Sequence, residues 1–125
     1  MENQINLEIK EKIALGVKGE VVDIFEDILK TIWERIAPTL GVITVVTILQ
    51  RAAYRTAQEF PIIKHLSFTE EGIDFTELKS RAMEEDKELI KEIFREFIGN
   101  LFDILAKLTG NVLVGDLMKI VEGNI

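Results

Sequence analysis

The chain of 125 residues has no cysteine, one histidine, two prolines, one tryptophan and one tyrosine. Without cysteine there can be no disulfide, thiolate nucleophile, iron-sulfur cluster or thiolate zinc site. The single histidine, His65, offers no second imidazole, and the Glu-x-x-His motifs of di-iron bundles do not occur. A haem would likewise find only His65, with no distal partner and no attachment motif. Basic residues are outnumbered, 15 against 22 acids, for a net charge of -7 with no basic cluster. A polyanion repels phosphate, so neither nucleic acid nor anionic lipid is an expected partner.

Nucleophilic chemistry is equally thin. The serines are Ser67 and Ser80; neither sits in a Gly-x-Ser-x-Gly elbow, and any triad would have to be built around His65. The glycine-containing stretches LGVKGE and TGNVLVGD lack phosphate-loop and dinucleotide fingerprints. Glu70, Glu71, Glu84, Glu85 and Asp86 are hard-cation ligands by type, but without the alternating spacing of a calcium loop they read as a solvated acidic face. The expectation is therefore a protein that is not an enzyme and uses no cofactor and no metal.

Long hydrophobic runs are also scarce. The N-terminal MENQINLEIKEK mixes acids and bases without an apolar h-region, which argues against a signal peptide and for a cytoplasmic protein. From Ile36 to Gln50 the sequence IAPTLGVITVVTILQ carries no formal charge in a chain that is otherwise 30% charged. It is shorter than the roughly 20 residues a helix needs to cross a bilayer and contains Pro38 and Gly41. No membrane span is expected, and the run belongs in a protein core.

What is present is helical periodicity. Ile5, Leu7 and Ile9 alternate, but Ile9 and Ile13 have helical spacing, and a short helix ending near Gly16 is expected. Val21, Phe25, Ile28, Ile32 and Ile36 mark one face of a helix over Glu20 to Ala37. Pro38 is expected to close it and open the next, over Thr39 to Glu59, with Pro61 as the far limit. Leu66/Phe68 and Ile73/Phe75 alternate around Glu70-Glu71-Gly72, so 66–75 reads as a loop or miniature hairpin. Asp74 and Glu77 have capping-box spacing for a helix through Met83. The strongest pattern, from Asp86 to Thr109, ends at Gly110, and Asn111 can start a last helix through Val121. Glu88/Lys91 and Glu92/Arg95 are spaced as ion pairs and mark the early half of the long helix as solvent-facing. Thr39 to Leu49 and Phe97 to Leu108 are too apolar for a two-layer contact and should meet at the bundle centre.

On the second helix Gly41, Thr44, Thr47, Arg51, Arg55 and Gln58 fall on one stripe that runs from small to polar to basic, opposite an apolar side of Val42, Val45, Leu49 and Ala53. As a structural feature this stripe admits a close neighbouring helix and lets the arginines reach surface carboxylates. As a site, Arg51 and Arg55 one turn apart beside Tyr54 form a fork for a carboxylate or phosphate of a partner or ligand, with Gln58 and Thr47 alongside. Trp33, next to the Ile32/Ile36 line, fits core or interface packing.

From Ile36 to Val121 the chain resembles small helical domains that accompany prokaryotic two-component and related signalling proteins. The resemblance is carried by the apolar helix passing into Arg51-x-x-x-Arg55, the Phe60-Pro61 break, the EEGIDF turn from Glu70 to Phe75 and the helix end at Leu108-Thr109-Gly110. It implies a sensory or output role exercised through protein contacts and transfers no catalytic residue. Kinase, receiver and ATP-binding motifs are lacking, so the chain would be an accessory piece.

The resulting expectation is a single all-α domain over 1–125, a bundle of five to six helices with two long central ones and a small hairpin or loop. The leading functional expectation is a non-enzymatic interaction module in prokaryotic signalling. Apolar positions outnumber those that one small bundle can cover, which points to a homodimer. The competing expectation is a bundle that binds a hydrophobic, lipid-like small molecule whose acidic head group is read by Arg51 or Arg55. A cavity ending near Arg51 would favour it.

Overall fold

The computed structural model describes residues 18–123. Over that range the chain is an all-α bundle with one small hairpin, as its periodicity predicts. The order is α1 (Lys18–Leu40), α2 (Val42–Ala57), a 3-10 turn (Pro61–His65), β1 (Ser67–Thr69), β2 (Gly72–Asp74), α3 (Thr76–Ala82), α4 (Lys87–Thr109) and α5 (Asn111–Gly123). The helix expected to end near Gly16 lies outside the described residues.

The inward face of α1 is the one its spacing marks: Val21, Phe25, Ile28, Ile32 and Ile36 are all buried. Phe25 stacks on Phe94 of α4, with centroids 4.5 Å apart and planes 9° from parallel. Such a pair adds about 0.5–1.5 kcal/mol beyond its buried area. On α2, Val45, Ile48, Leu49 and Ala52 turn inward, and α2 and α4 form the most extensive contact between helices. Thr56 joins the two: it donates to the Ala52 carbonyl at 2.8 Å and accepts from the Asn100 amide at 3.0 Å, so its buried hydroxyl is satisfied. Phe97, Leu101, Ile104 and Leu105 complete the centre of α4. Trp33 is half-buried and packs against the same cluster.

Pro38 does not end the first helix. α1 runs through it to Leu40, and the break comes at Gly41, with φ 87° and ψ 146°. A proline forfeits one hydrogen bond but has helical φ, and Pro38 stands exposed in the last turn of α1. Gly41 adopts a conformation essentially closed to residues with a Cβ. The uncharged run is therefore the end of one helix and the beginning of another. Gly41 holds the two together, its N–H bonding the Ala37 carbonyl at 2.8 Å and its own carbonyl accepting from Val45 at 3.1 Å. α1, at 23 residues, is as long as α4, whereas α2 has 16.

Other local expectations are redirected by packing. α2 is buried along one side only, because Ile43, Thr44 and Thr47 face outward. Leu108, expected inside, is exposed. The early half of α4 is not a solvated face: Ile90, Ile93 and Phe94 are buried, and so is Lys91, at 3% exposure, with its ammonium 2.8 Å from Glu88. The Glu92–Arg95 pair does not form among the described residues; the Nε of Arg95 is instead buried without a hydrogen-bond partner.

The hairpin forms where the alternation places it, with Phe68 opposite Ile73 and Thr69 opposite Gly72. Phe68 is pinned from below by Phe97, the ring centroids lying 6.2 Å apart, which supplies the helix packing that an isolated hairpin lacks. The capping box is only half realised. Asp74 accepts from the Thr76 N–H at 2.9 Å, but Glu77 turns away to His65, its Oε1 lying 2.7 Å from Nδ1. Gly110 closes α4 at φ 83°, the positive φ expected of it.

Candidate functional site

Thr44, Thr47, Arg51, Arg55 and Gln58 fall on one exposed face of α2, as the stripe predicts, and Gly41 stands exposed just before the helix. Among the described residues no helix covers that face, and its small residues meet no close helix approach there. Their spacing follows from the buried line on the opposite side, where Val45, Leu49 and Ala52 must turn inward and the positions between them outward.

The side chains do not form the expected fork. Arg55 is committed across the bundle: its Nη1 donates to Asp103 Oδ2 on α4 at 2.9 Å. Lys107 reaches the same oxygen at 3.1 Å. Arg55 first, and Lys107 second, hold the Asp103 carboxyl below its usual range. Thr47 donates to the Ile43 carbonyl at 3.0 Å and Gln58 to the Tyr54 carbonyl at 3.2 Å, so both turn back on their own helix. Arg51 and Tyr54 remain. Among the described residues Arg51 has no carboxylate partner, and Tyr54 beside it is 68% exposed. From Val42 to Gln58 the helix contains no acid at all, in a molecule of net charge -7.

Among the described residues, two open clefts lie beside α2. One, of about 390 Å³, lies between α2 and the segment leading into the hairpin, with Ala53 and Tyr54 on one wall and Lys64, Leu66, Ser67 and Phe68 on the other. The second, of about 480 Å³, lies at the start of α2 between Ile43 and Glu70. Neither is lined by Arg51. Lys64, Ser67 and Glu70 carry no helical or motif signal as binding residues; only the folding of the hairpin beside α2 makes them neighbours of Tyr54 and Ile43.

His65 and Lys79, elsewhere in the molecule, are engaged in structure. His65 bonds Glu77, and no serine is among its hydrogen-bond partners. Lys79 bridges α3 to α1 by contacting Glu26 at 2.7 Å and Asp23 at 3.3 Å. That bond lowers the Glu26 carboxyl and raises the Lys79 ammonium from their ordinary values. Among the described residues no three acids or histidines come together in a metal-binding arrangement, and no helix is long and apolar enough to cross a membrane. No protein-family model, curated protein or solved structure matches the chain.

Proposed function

We propose that this chain is a non-enzymatic protein-interaction module of the regulatory kind that accompanies prokaryotic signalling proteins, and that it works as an oligomer. The observation that carries this reading is the outer face of α2. It bears at Arg51 a guanidinium without a carboxylate partner among the described residues, and a wet aromatic ring at Tyr54, on a helix without acids, set on an acidic molecule. Arginine and tyrosine are the residue types that most often anchor protein contacts. Charge complementarity selects an acidic segment of the partner, because Arg51 can grip a carboxylate-bearing side chain in bidentate fashion while Tyr54 covers its stem. Arg55 belongs to the scaffold through Asp103 rather than to the site. A lipid-binding bundle would need a chamber closing on Arg51, and neither cleft beside α2 includes that residue in its wall.

The test separates Arg51 from Arg55. Crosslinking in the native host followed by mass spectrometry should identify an acidic partner with the wild-type chain and lose it with Arg51→Glu. The melting temperature should stay unchanged, since Arg51 is exposed and forms no ion pair among the described residues. Arg55→Ala should lower the melting temperature by breaking the pair with Asp103. Identical crosslinked partners for wild type and Arg51→Glu would overturn the reading.

A further inference from the structure

Arg51 and the cleft of about 390 Å³ lie on either side of one aromatic ring. At about 3.6 residues per turn, Gln50, Ala53 and Ala57 fall to one side of Tyr54 along α2, and Arg51 falls to the other. Gln50, Ala53 and Ala57 line the cleft together with Tyr54. The exposed phenol ring is therefore the rim between the cleft and the guanidinium. Across the cleft, Leu66 and Phe68 supply the apolar part of the far wall and Lys64, exposed, supplies its charge.

Among the described residues no acid lines this cleft, and Lys64, like Arg51, forms no ion pair. Across this flank of α2 the order is thus cation, exposed aromatic rim, cleft, cation, on a molecule of net charge -7. Complementarity of charge and polarity turns that order into a description of what fits it. Resting on the Arg51 reading above, we propose that the cleft receives an apolar side chain of the partner's acidic segment, with one carboxylate on Arg51 and a second on Lys64. An open cleft covers only one side of what enters it, whereas sites for free small molecules enclose most of the ligand. The occupant is therefore a side chain held in place by the peptide to which it belongs. Each exposed ion pair contributes little by itself. Their role is to reject segments of the wrong charge, while the apolar side chain against Tyr54 and Ala53 gains from leaving water.

The test is an NMR titration of the isotope-labelled chain with a short peptide that carries one leucine between pairs of glutamates. Amide resonances of Ala53, Tyr54 and Ser67 should shift and saturate. Alanine in place of the leucine should weaken binding roughly tenfold, and lysines in place of the glutamates should abolish it. On the protein, Lys64→Glu and Gln50→Glu should each weaken binding about three- to tenfold, since the first reverses a rim charge and the second sets a carboxylate in the cleft wall. Both positions are exposed, so circular dichroism melts should match the wild type. Absence of saturable shifts, or binding indifferent to the leucine or to either substitution, would overturn the proposal. Shifts at the same amides that grow with protein concentration and no peptide would name a second copy as the occupant and overturn it too. Native crosslinks lost with Arg51→Glu but kept with Lys64→Glu would remove the cleft while leaving the interaction-module reading, whereas crosslinks kept with Arg51→Glu would overturn that reading itself.

Discussion

The two arginines on α2 differ only in what lies across from them. Arg55 meets Asp103 on α4, whereas Arg51, one turn earlier, projects beyond the reach of any described carboxylate. Burial separates charged residues in the same way on α4. Lys91 is at 3% exposure while its partner Glu88 is at 73%, so the ammonium bears most of the desolvation and the carboxylate little. Glu88 is nonetheless held below its ordinary range, chiefly by its bond to Lys91. Replacing a buried charge by an apolar side chain of similar volume is often stabilising when no buried partner is orphaned. Lys91→Met should therefore raise stability by about 1 kcal/mol in a denaturant titration. Glu88→Ala should lower it, because the buried ammonium loses its acceptor. If both variants are destabilised, the side chain of Lys91 contributes more by packing its stem than it loses through its charge.

At the scale of elements, the α1–α2 corner shows how glycine and proline divide the work of ending a helix. Pro38 lies within α1, and Gly41 makes the turn at a φ of 87° with no heavy atom within 4 Å of an added Cβ. A substitution there meets strain but no clash. Gly41→Ala should cost about 1–3 kcal/mol. Pro38→Ala should stay within about 1 kcal/mol of the parent, because the regained hydrogen bond offsets the looser unfolded chain. Equal and large losses from both would mean that the proline also sets the corner. The hairpin was legible from Leu66/Phe68 and Ile73/Phe75 because alternation and a two-residue turn are local signals. The fate of Glu77 was not, because its choice of His65 over the helix start depends on where the 3-10 turn packs.

Across the whole molecule, ion pairs tie the elements together and set the response to acid. Glu26 and Asp103 are held below their ordinary values by Lys79 and Arg55 respectively, and Asp74 by the Thr76 N–H. A carboxyl depressed on folding binds fewer protons in the folded state, so stability rises with pH through that window. Their contribution is complete above the ordinary values of 4.5 for Glu and 3.8 for Asp and is lost as pH falls through the lower folded values. Lys79 is raised from 10.5, so its contribution is complete below that value and is lost only as pH rises through the raised folded value. Melting temperature should thus be flat through neutral pH and fall below about pH 4.5. Asp103→Asn should reduce that acid sensitivity, and an unchanged acid slope would remove Asp103 from the account. The same scale revises the case for a second copy. Apart from the exposed Ile43 and Leu108, the apolar positions of α1, α2 and α4 largely join one buried cluster within a single chain, so surplus hydrophobic surface on these helices does not argue for a homodimer.

The sequence alone determined the helical class, the burial line from Val21 to Ile36, the α4 pattern, the hairpin and the shortage of catalytic groups. These rest on periodicity, turn chemistry and composition, which act between residues a few positions apart. Tertiary structure alone decided that the uncharged run divides at Gly41, that the stripe on α2 is exposed and that, among the described residues, Arg55 has a carboxylate partner while Arg51 has none. Asp103 lies 48 residues from Arg55, and no local spacing says which of two arginines it will meet. It also brought Lys64 and Glu70 to the two clefts beside α2, because the position of a hairpin against a helix is set by long-range packing of Phe68 on Phe97 rather than by the strand's own residues.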